Sequence, residues 1–130
     1  MLKAAHLVLL AAAAMAVVSG AMPTIGYANG DDPVAEGKQI FQAKGCGACH
    51  TIGSGRLVGP DLKGVTKRRS RQWLEKMIVS PETMLYSDPI AKKLLEQYMV
   101  PMPNQGVTKE EVKKLIDYLE HEDKKGGDDD

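Results

Sequence analysis

Aromatic residues are scarce in this chain and cysteines almost absent. Aromatic side chains make up 5% of its 130 residues, with one Trp and one Phe. That scarcity excludes a core built on stacked rings. It leaves Leu/Ile/Val/Met packing between helices, or a large bound group that takes the place of core side chains. The only cysteines are Cys46 and Cys49, which excludes a multi-bridge disulfide scaffold. Neither sign of charge is in excess: 17 basic and 17 acidic side chains give a formal net charge of +0, which argues against bulk nucleic-acid binding. Strand-like alternation and internal repeats are missing as well, so an all-α architecture is expected.

One long apolar run is present, at the N-terminus. Lys3 precedes Ala4 to Val18, a stretch broken only by His6, and Ser19-Gly20-Ala21 and Gly26-Tyr27-Ala28 follow. A positive start, an apolar centre and small residues at the cut are the pattern of an export signal. Cleavage is expected after Ala28, with Ala21 as the alternative site. The competing reading is a retained membrane anchor, because no charged residue lies between Lys3 and Asp31 and a bilayer needs about 20 apolar residues. Both readings put the remaining domain outside the cytoplasm, in a periplasm or on the outer face of the membrane. Loss of residues 1–28 removes one base and no acid, leaving acids one in excess. The expected organisation is a signal peptide at 1–28, one domain at 29–121 and a frayed, solvated charged tail at 122–130.

About four helices are expected in the domain. Asp32-Pro33 is a helix start, with an N-cap Asp before Pro in the first turn, and this helix should stop near Gly45. Thr51 to Gly64 is Gly-rich, contains Pro60 and reads as irregular loop. A second helix runs from a Ser70 cap through Val79, ended by Pro81, with Trp73, Leu74, Met77 and Ile78 on one face. A third starts after Asp88-Pro89. Val100-Pro101-Met102-Pro103 cannot be helical. Thr108 and Glu111 form a capping box for a last helix carrying Val112, Leu115, Ile116 and Leu119.

Cys46-Gly47-Ala48-Cys49-His50 carries the chemistry. C-x-x-C-H is the attachment signal for a c-type haem: two thiols bond the vinyl groups of one porphyrin, and the adjacent imidazole faces the iron. Three other readings compete. A redox-active dithiol ordinarily follows a strand in a βαβ unit, and no strand pattern precedes Cys46. A structural zinc site needs further ligands, whereas His6 and His121 lie in the signal and near the C-terminus. A plain disulfide leaves His50 unexplained.

With these residues in view, the chain from about Pro33 to Leu119 resembles the class I c-type cytochromes, small mono-haem proteins. Four features carry the resemblance: Gly37 and Phe41 before the motif, Cys46 to His50 itself, Gly59-Pro60-Asp61-Leu62, and Leu115-Ile116-Asp117-Tyr118-Leu119. It implies one haem c held through Cys46 and Cys49, in a fold of about four helices around it. It also implies a crossing of the first and last helices at Gly37, with Phe41 and Tyr118 packed there. Pro60 would accept a hydrogen bond from Nδ1–H of His50, fixing the imidazole tautomer; an ordinary turn is the plainer reading of Gly59-Pro60.

The candidates for a sixth iron ligand are Met77, Met84, Met99, Met102 and His121. Met77 lies on an apolar helix stripe and Met84 in a loop after Pro81. Met102 sits between two prolines before a Thr-capped helix, which stiffens the segment and matches the family's Met-Pro pattern. The expectation is ligation by His50 and Met102, with Met99 the runner-up. The alternative is that both methionines only fill gaps in a haem pocket. Met ligation raises the reduction potential and closes the iron to small molecules. Trp73 either donates to a haem propionate or packs in the core, and Asn104 is a weak candidate for fixing the methionine loop.

Lys67, Arg68, Arg69 and Arg71 form a basic cluster, read first as a solvated helix start and second as a docking patch for an acidic partner. The expected function is single-electron transport by a monomer between transient redox partner proteins, without catalysis. Two rivals stand beside it: a haem enzyme or gas sensor with an open sixth site, and a cytochrome subunit tethered to a larger complex by an uncleaved N-terminus.

Overall fold

The computed structural model of the chain describes residues 32–125. Among them are six α-helices and one short 3-10 turn, with no strand: α1 (Pro33–Ala43), the turn (Cys46–Ala48), α2 (Val65–Arg68), α3 (Arg71–Val79), α4 (Pro81–Ser87), α5 (Pro89–Tyr98) and α6 (Lys109–Lys125). No helix among them is long and apolar enough to cross a membrane. The expected signal or anchor at 1–28 lies outside the described residues.

The helix starts follow from local chemistry. Asp32 accepts from the Val34 amide at 3.0 Å, and Pro33 opens α1. Ser70 caps α3 through the Trp73 amide. Asp88 accepts from the Ile90 and Ala91 amides, both at 3.0 Å, to start α5. The Thr108–Glu111 capping box closes in both directions, at 2.8 and 3.1 Å. Each such cap satisfies amides that the first helical turn leaves without partners.

Two of the six helices depart from the expected number. Pro81 does end α3, but it also occupies the first position of α4, with Ser80 shared as the C-cap of one helix and N-cap of the next. Met84, expected in a loop, is therefore helical and buried. The one-turn helix α2 begins at Gly64 in a left-handed conformation (φ 73°). Its amides are capped from far away. Asp123 accepts from Gly64 N at 2.5 Å, Thr66 N at 2.9 Å and Thr66 Oγ1 at 2.6 Å.

That contact corrects the expected tail. Residues 122–125 form the last turn of α6, and Asp123 is only 3% exposed. One turn beyond Leu119, it stays on the inward face and meets amides there. Residues 126–130 lie outside the described residues.

α1 and α6 cross in close contact. At the crossing Gly37 has no room for a side chain: a Cβ would lie 2.0 Å from the Lys114 carbonyl oxygen and 2.7 Å from the Tyr118 Cβ. Beside it Phe41 and Tyr118 meet edge to face, with ring centroids 5.8 Å apart. Lys114 pairs with Glu36, and Lys44 with Glu111 at 3.0 Å, across the same crossing. The core has two clusters. Val65, Leu74, Val107, Val112, Ile116 and Leu119 form one; Met77, Met84, Leu85 and Ala91 form the other, with Met102 packed against it. Trp73 touches both.

Candidate functional site

A cavity of about 600 Å³ lies between the two loops and the helices, within the range of about 300–1,000 Å³ typical of cofactor pockets. Every helix supplies part of its wall: Phe41, Val65, Leu74, Leu85, Leu95 and Leu119. Cys46, Cys49, His50, Pro60 and Met102, separated by up to 56 residues in sequence, all line it.

Gly45, in a left-handed conformation (φ 70°), turns the chain out of α1 into the 3-10 turn that carries Cys46. Both cysteines are half-buried and form no disulfide with each other. Burial pushes the Cys46 thiol above its ordinary pKa, so it is held neutral. The backbone then returns on itself, with the His50 amide donating to Cys46 O at 3.0 Å and Gly59 N to Cys49 O at 2.7 Å.

His50 is fixed from two sides. Its Nδ1 donates to the Pro60 carbonyl at 2.8 Å, which leaves Nε2 with the free lone pair. Its ring also lies against Gly59, where a Cβ would sit 2.7 Å from Cε1 and 3.0 Å from Nδ1. Gly59 thus serves the imidazole by having no side chain, a role invisible in the sequence.

Asp61 pins the loop that carries Pro60. Its carboxylate accepts from the amides of Gly53 (2.8 Å), Gly55 (2.6 Å) and Lys63 (2.8 Å). These donors stabilise the ionised form and lower its pKa from 3.8 to about 2. In the sequence, Asp61 stands only as one member of the Gly59-Pro60-Asp61-Leu62 segment, with nothing to mark its role.

The methionine candidates separate by position. Met102 is partly buried and lines the cavity. Met99 caps α5 in a left-handed conformation (φ 61°) and is 79% exposed. Met84 is buried in the cluster with Met77, Leu85 and Ala91 and does not line the cavity. Met77 is core, as expected from its stripe, and also reaches the cavity wall. His121 is exposed on α6. Asn104 does fix the methionine loop: its amide nitrogen donates to Val79 O at 3.3 Å, and its side-chain oxygen accepts from Gly106 N at 2.9 Å.

Trp73 differs from one expectation. Its indole N–H donates to Asp88 Oδ1 at 3.0 Å, so in this structure it ties α3 to the start of α5. Together with the Ala91 amide, it holds the Asp88 carboxyl below its ordinary pKa. The basic cluster is also largely spent internally. Arg71 pairs with Asp117 at 2.8 Å and Glu120 at 3.1 Å. Arg69 lies over the Trp73 ring at 5.4 Å, and Arg68 donates to the Lys63 and Asp61 carbonyls.

These residues fit a covalently held haem: an apolar slot, two thiols on one turn, and an imidazole with its outer nitrogen held and its inner nitrogen free. A zinc centre has no comparable support, since no group of three or more His, Cys, Asp or Glu side chains converges among the described residues.

Comparison with known proteins agrees. The cytochrome c family model matches residues 34–122. Cytochrome c-551 of Ectopseudomonas mendocina is 31% identical over 90 residues, covering 65% of this chain and 95% of that protein. A cytochrome c-553-like protein of Synechocystis is 32% identical over 83 residues, covering 64% of this chain and 63% of its own length. Among solved structures, a cytochrome c from Rhodothermus marinus superposes with a TM-score of 0.68 at 28% identity, over 72% of this chain and 78% of that one. The cytochrome c domain of a Pseudomonas putida protein does so with a TM-score of 0.60 at 41% identity, over 68% and 88%. With its all-α fold and its Cys46–Cys49 pair positioned for haem c, the chain belongs to the cytochrome c family, as a class I mono-haem electron carrier.

Proposed function

We propose that this cytochrome ligates its haem iron through His50 and Met102 and passes single electrons between transient partner proteins outside the cytoplasm. The observation that carries the reading is the gathering of Cys46, Cys49, His50, Pro60 and Met102 around one cavity, while Met99 stands 79% exposed. When bound, the haem supplies an iron that alternates between ferric and ferrous states. The protein's part is to hold the site still. Cys46 and Cys49 anchor the porphyrin edge. The Pro60 carbonyl holds Nδ1–H of His50, keeping Nε2 unprotonated, so that it would bind the haem iron. The prolines flanking Met102 stiffen its backbone, and Asn104 ties that segment to α3. Met77 also lines the cavity, but it is part of the buried cluster of α3, α4 and α5.

The apolar N-terminal run supports export, with residues 1–28 removed as a signal peptide and the domain working as a monomer in the periplasm. A closed iron with two protein ligands is suited to electron transfer, and no catalysis of its own is assigned to the protein.

The test is the optical spectrum of the purified holoprotein, oxidised and reduced, with and without carbon monoxide. A weak far-red sulfur-to-iron band in the ferric form, insensitivity of the ferrous form to carbon monoxide, and loss of the band in Met102→Ala support the proposal. A high-spin spectrum that shifts with carbon monoxide would replace it with a gas-binding or catalytic haem. Mass determination of the mature chain decides between a cleaved signal and a retained tether.

A further inference from the structure

We infer that Arg56 is a positioning residue for the sixth ligand, a clasp that holds the Met102 segment across the cavity; the inference rests on Met102 ligation as proposed above. Arg56 lies six residues after His50, on the loop that carries Pro60. Its Nη2 donates to the Gln97 carbonyl at 3.3 Å, and its guanidinium carbon sits 4.3 Å from the centroid of the Tyr98 ring. Arg56 and Tyr98 both line the cavity, as do Val58 and Val100 beside them. The contact therefore joins the loop of the histidine side to the helix end that leads into the methionine side.

The Met102 segment depends on few attachments. α5 packs chiefly on α4. C-terminal to Met102, Asn104 bonds Val79 and the Glu82 carboxylate, and Lys44 donates to the Gly106 carbonyl at 2.8 Å. N-terminal to it, the chain leaves α5 through Met99 in a left-handed conformation, which a non-glycine residue adopts at a cost. Exposed Met99 and Val100 follow directly. The Arg56 clasp is the contact that fastens this weak stretch to the opposite loop. A guanidinium bonded to a carbonyl at the end of a helix and stacked on the adjacent ring suits that role, because arginine's planar fork serves both contacts at once.

If Met102 leaves the iron by movement of this segment, the clasp exists only in the closed form, and its loss raises the open fraction. An external ligand that binds only the open form then gains apparent affinity in proportion. The expected gain is about tenfold.

The experiment is imidazole titration of the ferric holoprotein, followed at the far-red sulfur-to-iron band, in wild type, Arg56→Ala, Arg56→Lys, Tyr98→Leu, Tyr98→Phe and the Arg56→Ala/Tyr98→Leu double variant. Arg56→Ala and Tyr98→Leu should each bind imidazole more tightly, by about tenfold for Arg56→Ala. The double variant should gain little more than either alone. Arg56→Lys, which keeps the charge and loses the planar fork, should follow Arg56→Ala; Tyr98→Phe, which keeps the ring, should follow wild type. Thermal midpoints read alongside separate this from general loosening, which would track the midpoint in every variant. Unchanged imidazole affinity in Arg56→Ala, or an Arg56→Lys protein indistinguishable from wild type, would overturn the clasp. A wild type without the band would instead overturn Met102 ligation, and the clasp with it.

Discussion

The imidazole of His50 donates its Nδ1 proton to the carbonyl of Pro60 at 2.8 Å, and the residue between loop and ligand, Gly59, leaves the ring just enough space to do so. The backbone thereby sets the tautomer of the imidazole and leaves Nε2 as the nitrogen with a free lone pair. In the proposed ligation, such a carbonyl acceptor would make the imidazole a stronger donor to a ferric iron.

Gly59→Ala should disturb this bond directly, because its Cβ would overlap the ring at Cε1. A weaker bond makes a poorer donor ligand, so the reduction potential should rise. A tenfold change in the ferric–ferrous balance corresponds to about 59 mV for one electron. Redox titration of the variant against wild type measures it. A potential unchanged or lowered would count against the carbonyl's tuning role.

Gly37→Ala is expected to be far more damaging to stability than an alanine elsewhere in α1. The new methyl would meet the Lys114 backbone, which cannot swing away as a side chain can. Forcing α1 and α6 apart should cost about 3 kcal/mol, seen as a lower guanidinium midpoint of the holoprotein. An exposed α1 position such as Gln39→Ala provides the comparison.

Asp61 makes stability depend on acid. Its pKa is lowered in the folded state from 3.8 to about 2, so the folded protein prefers the ionised carboxylate. This contribution is complete above the unfolded value and is lost as pH falls from about 4 towards 2. Wild type should therefore lose thermal stability over that interval more steeply than Asp61→Asn. Parallel melting curves for the two proteins across it would show that the carboxylate's charge is not what matters.

Asp123→Ala should leave the Gly64 and Thr66 amides and the Thr66 hydroxyl without their partner. The loss expected is about 2 kcal/mol, measured by denaturant unfolding. A chain ending at His121 should lose at least as much, because it lacks both this carboxylate and the Glu122 carbonyl that accepts from Lys63 at 2.7 Å.

Local chemistry made much of the fold legible. Asp32, Ser70, Asp88 and Thr108 each announced a helix that the structure contains, because a side-chain cap acts within three residues of itself. The Cys46–His50 motif and the crossing of Gly37 with Tyr118 were legible for a different reason, through the family pattern. What escaped was long-range. α2 is capped by a carboxylate that lies 59 residues after Gly64, so nothing near Val65 marks its start. Asp123 stands in a run of charged residues, whose composition masks its place one turn beyond Leu119. Pro81 signals a stop in the sequence, but the same ring that ends one helix also suits the first position of the next. At the site, the residues bearing reactive atoms were readable. Gly59 is legible only as part of the Gly59-Pro60-Asp61-Leu62 segment and not for the space it leaves, and Arg56, which reaches from its loop to the end of α5, has no signal of its own.

The crossing of α1 with α6 also joins two distant parts of the chain around the cavity. The attachment thiols follow the first helix, whereas Leu115 and Leu119, which wall the cavity they face, belong to the last. A chain emerging from its N-terminus presents Cys46 and Cys49 long before that wall exists. In the folded chain the final helix closes the space beside the two half-buried cysteines. The residues that anchor and those that enclose thus come from opposite ends of the described chain, and only the packing of α6 on α1 brings them around one space.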